Sequence, residues 1–329
     1  MRPRHILVLT FFFALCALPN AVRACEDEHP PVLRKPSVEF ALKDASGNPV
    51  AFVGVDPRGM GRLRMADEPE FEWTDPEGET WAWDAREWQW WTGHPWGESC
   101  RPRFYAEVDF HPDRIEEGVA WIDYHIDGFD CRQIYLIPET VPRDAPYWDT
   151  VIRVRNDTGE DVEEYGQFFA CYTTVNASGE ERLPHWYWDR SGELVRWNER
   201  GVDHLNGYIA HPEAYFLDRG RVPHVPRGDG KIVGTWRHPV LVSNPTPKGW
   251  RSVILCEEET TAALAQGMGG PAMDYILHPG AGLKVFADGQ EFTTQIRHVM
   301  LKSPELPTRE TLESLWRSAE EDRASLKSK

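Results

Sequence analysis

Basic charge is scarce in this 329-residue chain: 36 Lys and Arg stand against 53 Asp and Glu. Polyanions are held by basic surfaces, so the balance argues against a nucleic-acid or anionic-membrane partner. No Cys-x-x-Cys occurs, which speaks against a structural zinc site. Gly-x-Ser-x-Gly and His-Glu-x-x-His are both missing, so serine hydrolase and zincin chemistry have no support. The glycine run Gly267-Met268-Gly269-Gly270 lacks the strand-to-helix context and the Lys-Ser/Thr of a phosphate loop, and nucleotide binding is rejected. Beyond residue 24 no apolar run is long enough to cross a bilayer as a helix. There is no internal repeat, no low-complexity tract and no linker marking a second domain.

What is present begins with a leader. Arg2 and Arg4 precede an apolar run from Ile6 to Leu18, then Pro19-Asn20 and a short segment ending at Ala24. That order of charge, apolar core and small-residue end predicts a secretory signal peptide over residues 1–24. Val22-Arg23-Ala24-Cys25 also resembles a bacterial lipobox, with an unusual Arg23, which would leave a lipid on Cys25. The expected location is secreted, periplasmic or anchored to the cell envelope. Cleavage leaves 33 basic against 53 acidic residues, a charge of −20. Export permits disulfides, and Cys100, Cys131, Cys171 and Cys256 allow three pairings.

Short strands follow. Phe104, Ala106, Val108 and Phe110 alternate with Tyr105, Glu107, Asp109 and His111. After a loop, Ala120, Ile122, Tyr124 and Ile126 alternate with Trp121, Asp123, His125 and Asp127. Alternation with period two marks antiparallel strands with one apolar face. Residues 198 to 230 are looser, as an elaborated loop over a site would be. At the end Thr308 caps a helix carrying Leu312, Leu315, Trp316 and Ala319 at helical spacing. The expected fold is all-β, a large antiparallel β-sandwich (supersandwich-like) over 25–307, with a C-terminal helix, 308–329, packed on it.

Four constellations carry the candidate chemistry. Seven of the 15 tryptophans fall between Trp73 and Cys100, interleaved with acids and turn residues. Indole offers a flat apolar platform with one donor, which suits a sugar's apolar face and hydroxyl rim. Trp88, Trp90, Trp91 and Trp96 are the candidate platforms, and His94 lies among them. The segment His185-Trp186-Tyr187-Trp188-Asp189 adds a base, two indoles and an acid; Tyr208 and His211 follow in irregular chain. Six of the 12 histidines precede proline: His29, His94, His111, His211, His238 and His278. Proline holds the preceding residue extended, so these mark strand ends, and His29 and His238 are read as nothing more. Glu257-Glu258-Glu259 closes the strand Trp250 to Cys256, with Glu257 the candidate base. The candidate catalytic set is therefore His94, His185, His211, Glu257 and His278, and the binding set adds Trp186, Trp188, Asp189 and Tyr208. No cofactor is required. A divalent metal on Asp109, His111, Asp123 and His125 is the alternative, set against an ordinary solvated sheet face.

The segment Trp148 to Thr174 resembles the galactose mutarotase-like β-sandwich superfamily of sugar epimerases, lyases and hydrolase accessory domains. The likeness lies in the strand Thr150-Val151-Ile152-Arg153-Val154-Arg155, the turn Asn156 to Gly159, and the strand Gln167-Phe168-Phe169-Ala170-Cys171-Tyr172. Asp288-Gly289-Gln290-Glu291 before the strand Phe292 to Leu301 looks like that superfamily's closing strands. Its epimerases carry a His in the strand after the Asn turn; Phe169 to Tyr172 has none, so that acid is not carried over. The resemblance implies a concave β face that binds carbohydrate. The reading is a sugar- or polysaccharide-binding protein, with hydrolase, lyase or epimerase chemistry from a His acid and a carboxylate base. The alternative is a non-catalytic carbohydrate-binding or envelope protein.

Overall fold

A computed structural model describes residues 38–56, 59–73, 87–92, 107–126, 128–173, 186–196, 207–223, 230–266 and 272–327. Its strands are β1 (Val38–Lys43), β2 (Pro49–Asp56), β3 (Gly59–Met65), β4 (Glu68–Trp73), β5 (Glu87–Thr92), β6 (Glu107–His111), β7 (Val119–Ile126), β8 (Phe129–Leu136), β9 (Tyr147–Asn156) and β10 (Val162–Glu163). They continue as β11 (Tyr165–Thr173), β12 (Trp186–Asp189), β13 (Leu194–Arg196), β14 (Tyr208–Ala210), β15 (Ile232–Val242), β16 (Trp250–Leu255), β17 (Thr261–Gln266), β18 (Ala272–Leu277), β19 (Val285–Phe286) and β20 (Glu291–Lys302). One α-helix, α1 (Arg309–Lys327), ends the described chain.

The meander β1-β2-β3-β4 makes one sheet. A 14-stranded sheet holds most of the rest, in the order β5-β11-β18-β17-β14-β15-β16-β20-β9-β8-β7-β6, with β12 and β13 paired off β15. Pairing is antiparallel apart from β14 against β15. The alternation read from sequence sets the register of β6 on β7: Phe110 faces Ile122 and Asp109 faces Asp123 across the pair. Its loop closes at Gly118, whose φ of 73° suits glycine, and a Cβ there would lie 2.4 Å from the Ile137 carbonyl oxygen.

One apolar cluster joins the two sheets. Phe40, Leu42, Val53 and Leu63 of the small sheet meet Ile122, Tyr135, Trp148, Ile152, Ile254 and Ile296 of the large one. Ile209, Leu264 and Leu277, from the other half of the large sheet, belong to the same cluster, so that sheet curls around its own core. The result is an antiparallel β-sandwich with a C-terminal helix.

The helix begins where its sequence directs. Thr308 Oγ1 accepts the Thr311 amide at 3.2 Å, an N-cap bond. Leu312, Trp316 and Ala319 pack on Val240, Val242, Val253, Leu255, Val299 and Leu301, the outward residues of β15, β16 and β20. Each large side chain so buried contributes about 1.5–3 kcal/mol. Two arginines clasp the helix. Arg297 donates to both oxygens of Asp149 at 2.8 and 2.7 Å and to Asp322 of α1 at 2.8 Å. Arg323 is buried and donates to the Leu255 carbonyl at 2.8 Å.

One further expectation changes. Cys131 and Cys256 are both buried and free, so neither joins a disulfide and none of the three complete pairings stands. Burial pushes the Cys256 thiol up to about 12, which keeps it protonated and inert. Asn156, at the start of the turn read from sequence, is buried and donates through Nδ2 to the carbonyls of Glu160 and Phe286. It is a turn-forming core residue.

Candidate functional site

Proline sets up the site by breaking a strand. Pro239 interrupts β15 because it has no N–H to give the ladder; its carbonyl still accepts the Cys256 amide at 3.0 Å. The register on β12 jumps at the same place, from Tyr187 opposite Leu241 to Asp189 opposite Trp236. Before the break β15 pairs with β14; after it, with β16. Arg237-His238-Pro239 is thus a corner of the large sheet, where a strand changes neighbours.

The turn between β16 and β17 lies against this corner and gathers the other histidines. The His211 amide donates to the Ala262 carbonyl at 2.9 Å, and the His278 amide to the Thr260 carbonyl at 2.8 Å. Glu257 is buried and accepts the Gln295 amide at 2.9 Å, which fastens the turn to β20. Glu258, next in the chain, faces the other way. Its Oε2 lies 3.2 Å from Nδ1 of His238.

His238 is held on three sides. Its ring stacks on Trp316 of α1, with centroids 4.5 Å apart and planes 19° apart. Trp188 lies 5.2 Å away at 61°. With Glu258 accepting at Nδ1, the neutral imidazole carries its proton there and its lone pair on Nε2. Nε2 makes no bond to the described residues, and the side chain is 24% exposed. That nitrogen belongs to a part-exposed ring.

His211 and His278 differ from it. His211 is buried, packs edge-on to Trp236 at 5.7 Å and accepts the Glu213 amide at Nδ1. Burial pulls its pKa below the usual imidazole value, while the charges of Glu258 and Glu213 pull the other way. Glu258 therefore sits within electrostatic reach of both His238 and His211. His278 is 1% exposed and donates from Nδ1 to the Gly280 carbonyl at 2.6 Å; Nε2 has no partner among the described residues. Burial drives its pKa down to about 4, against the pull of the Gly280 carbonyl. It is a neutral structural residue, unsuited to give up a proton near pH 7.

The other predicted site residues are distributed unevenly. Trp188 is fully buried, so no sugar ring reaches it in this conformation. Asp189 is buried and organises the β12–β13 turn, accepting the amides of Ser191 and Glu193 at 2.8 and 3.2 Å. Tyr208 is buried in a second apolar cluster with Phe216 and Ala263. Trp186 is half-buried beneath Arg251, whose guanidinium lies 5.6 Å over its ring. Trp88, Trp90 and Trp91 lie on β5, at one edge of the large sheet, opposite Phe169, Gln167 and Gly166 of β11. His94, Trp96 and His185 lie outside the described residues. Sequence reasoning missed His238, Glu258 as its partner, and Trp316. The signal was present in a His-Pro pair in the middle of a strand that is apolar on both sides of Arg237-His238.

The proposed metal face is corrected by its pairings. His111 Nε2 lies 3.4 Å from Asp123, which also receives Arg132 at 2.5 Å. His125 instead contacts Asp130 at 2.5 Å. The two histidines stand four residues apart along the ladder, about 13 Å by strand rise. Among the described residues no group of three or more His, Cys, Asp or Glu converges as a metal site.

No protein-family model matches the chain, and no curated protein does. Solved structures do resemble it in fold. One is a galactose mutarotase related enzyme from Lactobacillus acidophilus, 10% identical, with a TM-score of 0.40 over 82% of this chain and 100% of that one. Another is a candidate aldose 1-epimerase from Escherichia coli K12, 10% identical, with a TM-score of 0.43 over 80% and 99%. A GH36 α-galactosidase from Geobacillus stearothermophilus is 8% identical, with a TM-score of 0.38 over 80% of this chain and 40% of its own. The likeness is one of fold, to galactose mutarotase-like structures, and at this level it carries no activity.

Proposed function

We propose that this protein is an exported carbohydrate-handling enzyme in which His238 exchanges a proton with the sugar through Nε2 and Glu258 orients it. The observation that carries the reading is the 3.2 Å contact between Glu258 and Nδ1, which leaves Nε2 open at the sheet corner. A carboxylate behind an imidazole sets its tautomer and stabilises the cation formed on proton uptake. His211, within the field of the same carboxylate, is the second candidate for an acid or base. The carbohydrate half of the reading rests on the tryptophan-rich segment and on β5, which sets Trp88, Trp90 and Trp91 on a sheet edge.

A glycan-array and turnover screen tests it. The wild-type protein should bind at least one glycan, and His238→Gln or Glu258→Gln should lower turnover by about 10²- to 10⁴-fold with binding retained. No glycan bound by the folded protein, or turnover unmoved by both variants, would overturn it. The close fit of His238 between two indoles also suits a binding-only protein; in that case affinity falls in both variants and no turnover is found. Export and a lipid on Cys25 form part of the proposal. Mass spectrometry of the cell-expressed protein should show residues 1–24 removed and a diacylglycerol mass on Cys25. A mature N-terminus without added mass would remove the anchor.

A further inference from the structure

The helix α1 covers part of the sheet's outer face, and that face would be buried by any apolar residue at position 316. The residue found there is a tryptophan whose ring lies nearly parallel to His238, at 4.5 Å and 19°. Leu312 and Ala319, one helical turn to either side, are buried in the same cluster without a ring contact to the histidine. The Arg323 guanidinium lies 5.2 Å over the Trp316 ring and is itself anchored to the Leu255 carbonyl. Trp316 is therefore held next to a buried cation and presents a flat face to the imidazole.

We infer that Trp316 is a positioning residue: by stacking on His238 it holds the ring in the one orientation that aims Nδ1 at Glu258 and Nε2 outward. The inference rests on the proposed role of the His238–Glu258 pair and makes the C-terminal helix part of the site. Glu258 alone does not fix the ring. Its side chain is 39% exposed and makes a single 3.2 Å contact, and Trp188 meets the ring at 61° instead of face to face, so neither fixes its rotation about Cβ–Cγ. An aromatic face removes that freedom, and it also stabilises the protonated ring formed during catalysis.

The test needs no sugar. In long-range ¹H–¹⁵N spectra of the whole protein above the imidazole titration range, His238 should show one tautomer, with the proton on Nδ1. Trp316→Met fills the slot with apolar volume but offers no face, and the Nδ1–H pattern should be lost. Trp316→Phe should restore it. Leu312→Ala loosens the helix without touching the histidine and should leave the pattern intact. A single Nδ1–H tautomer surviving in folded Trp316→Met would overturn the inference, as would its loss in Leu312→Ala. If Trp316→Met does not fold, Trp316→Leu against Trp316→Phe makes the same comparison. Failure of the functional reading looks different: the spectra behave as stated while no glycan binds.

Discussion

One face of the large sheet carries histidines and carboxylates twice, and only one of the two sets is covered. Over β6, β7 and β8 the face is open: His111, Asp123, His125, Asp130 and Arg132 pair along the ladder with their side chains 30–57% exposed. Over β15, β16, β20 and β9 the helix lies on it: His238 with Glu258 stays at its margin, 24% and 39% exposed, while Arg297 with Asp149 is sealed. Arg297 is 3% and Asp149 8% exposed. Water screens the first set and lets each residue take whichever partner is nearest. Arg297 and Asp149, by contrast, sit in a fixed apolar surround, which makes their contact specific and its loss expensive.

The largest expected difference between the two regions lies in their ion pairs. Asp149→Ala strands Arg297, whose pKa burial would lower but which Asp149, then Asp322, hold above the ordinary arginine value. The expected cost is about 3–5 kcal/mol in urea unfolding. A loss under about 1 kcal/mol would show that Asp322 alone suffices for the buried guanidinium.

Next comes the response to acid. His278 has a folded pKa of about 4 against an ordinary 6.5, so the unfolded chain takes up the proton first. Its contribution is complete above pH 6.5 and is lost as the pH falls from about 6.5 to about 4. The total is on the order of 3 kcal/mol, and the slope flattens below that window. His278→Gln should remove this part of the pH–stability profile, whereas His125→Gln, on the open face, should leave it in place. Equal profiles for His278→Gln and the wild type would mean that the imidazole finds a partner when charged.

The smallest effect belongs to the open face. Asp123→Ala breaks the pair with Arg132 and should cost less than about 1 kcal/mol, since both groups are hydrated and the salt bridge is screened. A cost approaching that of Asp149→Ala would erase the distinction drawn between the two regions.

Much of this arrangement was legible before any coordinates. Strict alternation at 104–111 and 120–127 specified a hairpin, because a pleated strand must send successive side chains to opposite faces, and the described part of it, 107–111 against 119–126, pairs as read. Thr308 and the 312–316–319 spacing specified the helix. Among the described His-Pro pairs, 111, 211 and 278 fall at strand ends as read, whereas His238 lies inside β15; those at 211, 238 and 278 lie around the β16–β17 turn. Their partners were not legible. His238 and Trp316 are 78 positions apart, and nothing local shows that a helix near the end of the chain will lie over a proline break in β15. Likewise Trp188 and Asp189, polar-tipped residues in an aromatic hairpin, looked like binding residues until the helix and turn buried them.

By itself, then, the sequence determined which segments are strands, which is the helix, and which residues can titrate or stack, because those properties depend on local backbone geometry and side-chain chemistry. Tertiary structure alone decided which histidine is sealed, which is solvated and which keeps one nitrogen open against a carboxylate. Those outcomes depend on what covers each side chain, and the cover comes from distant parts of the chain.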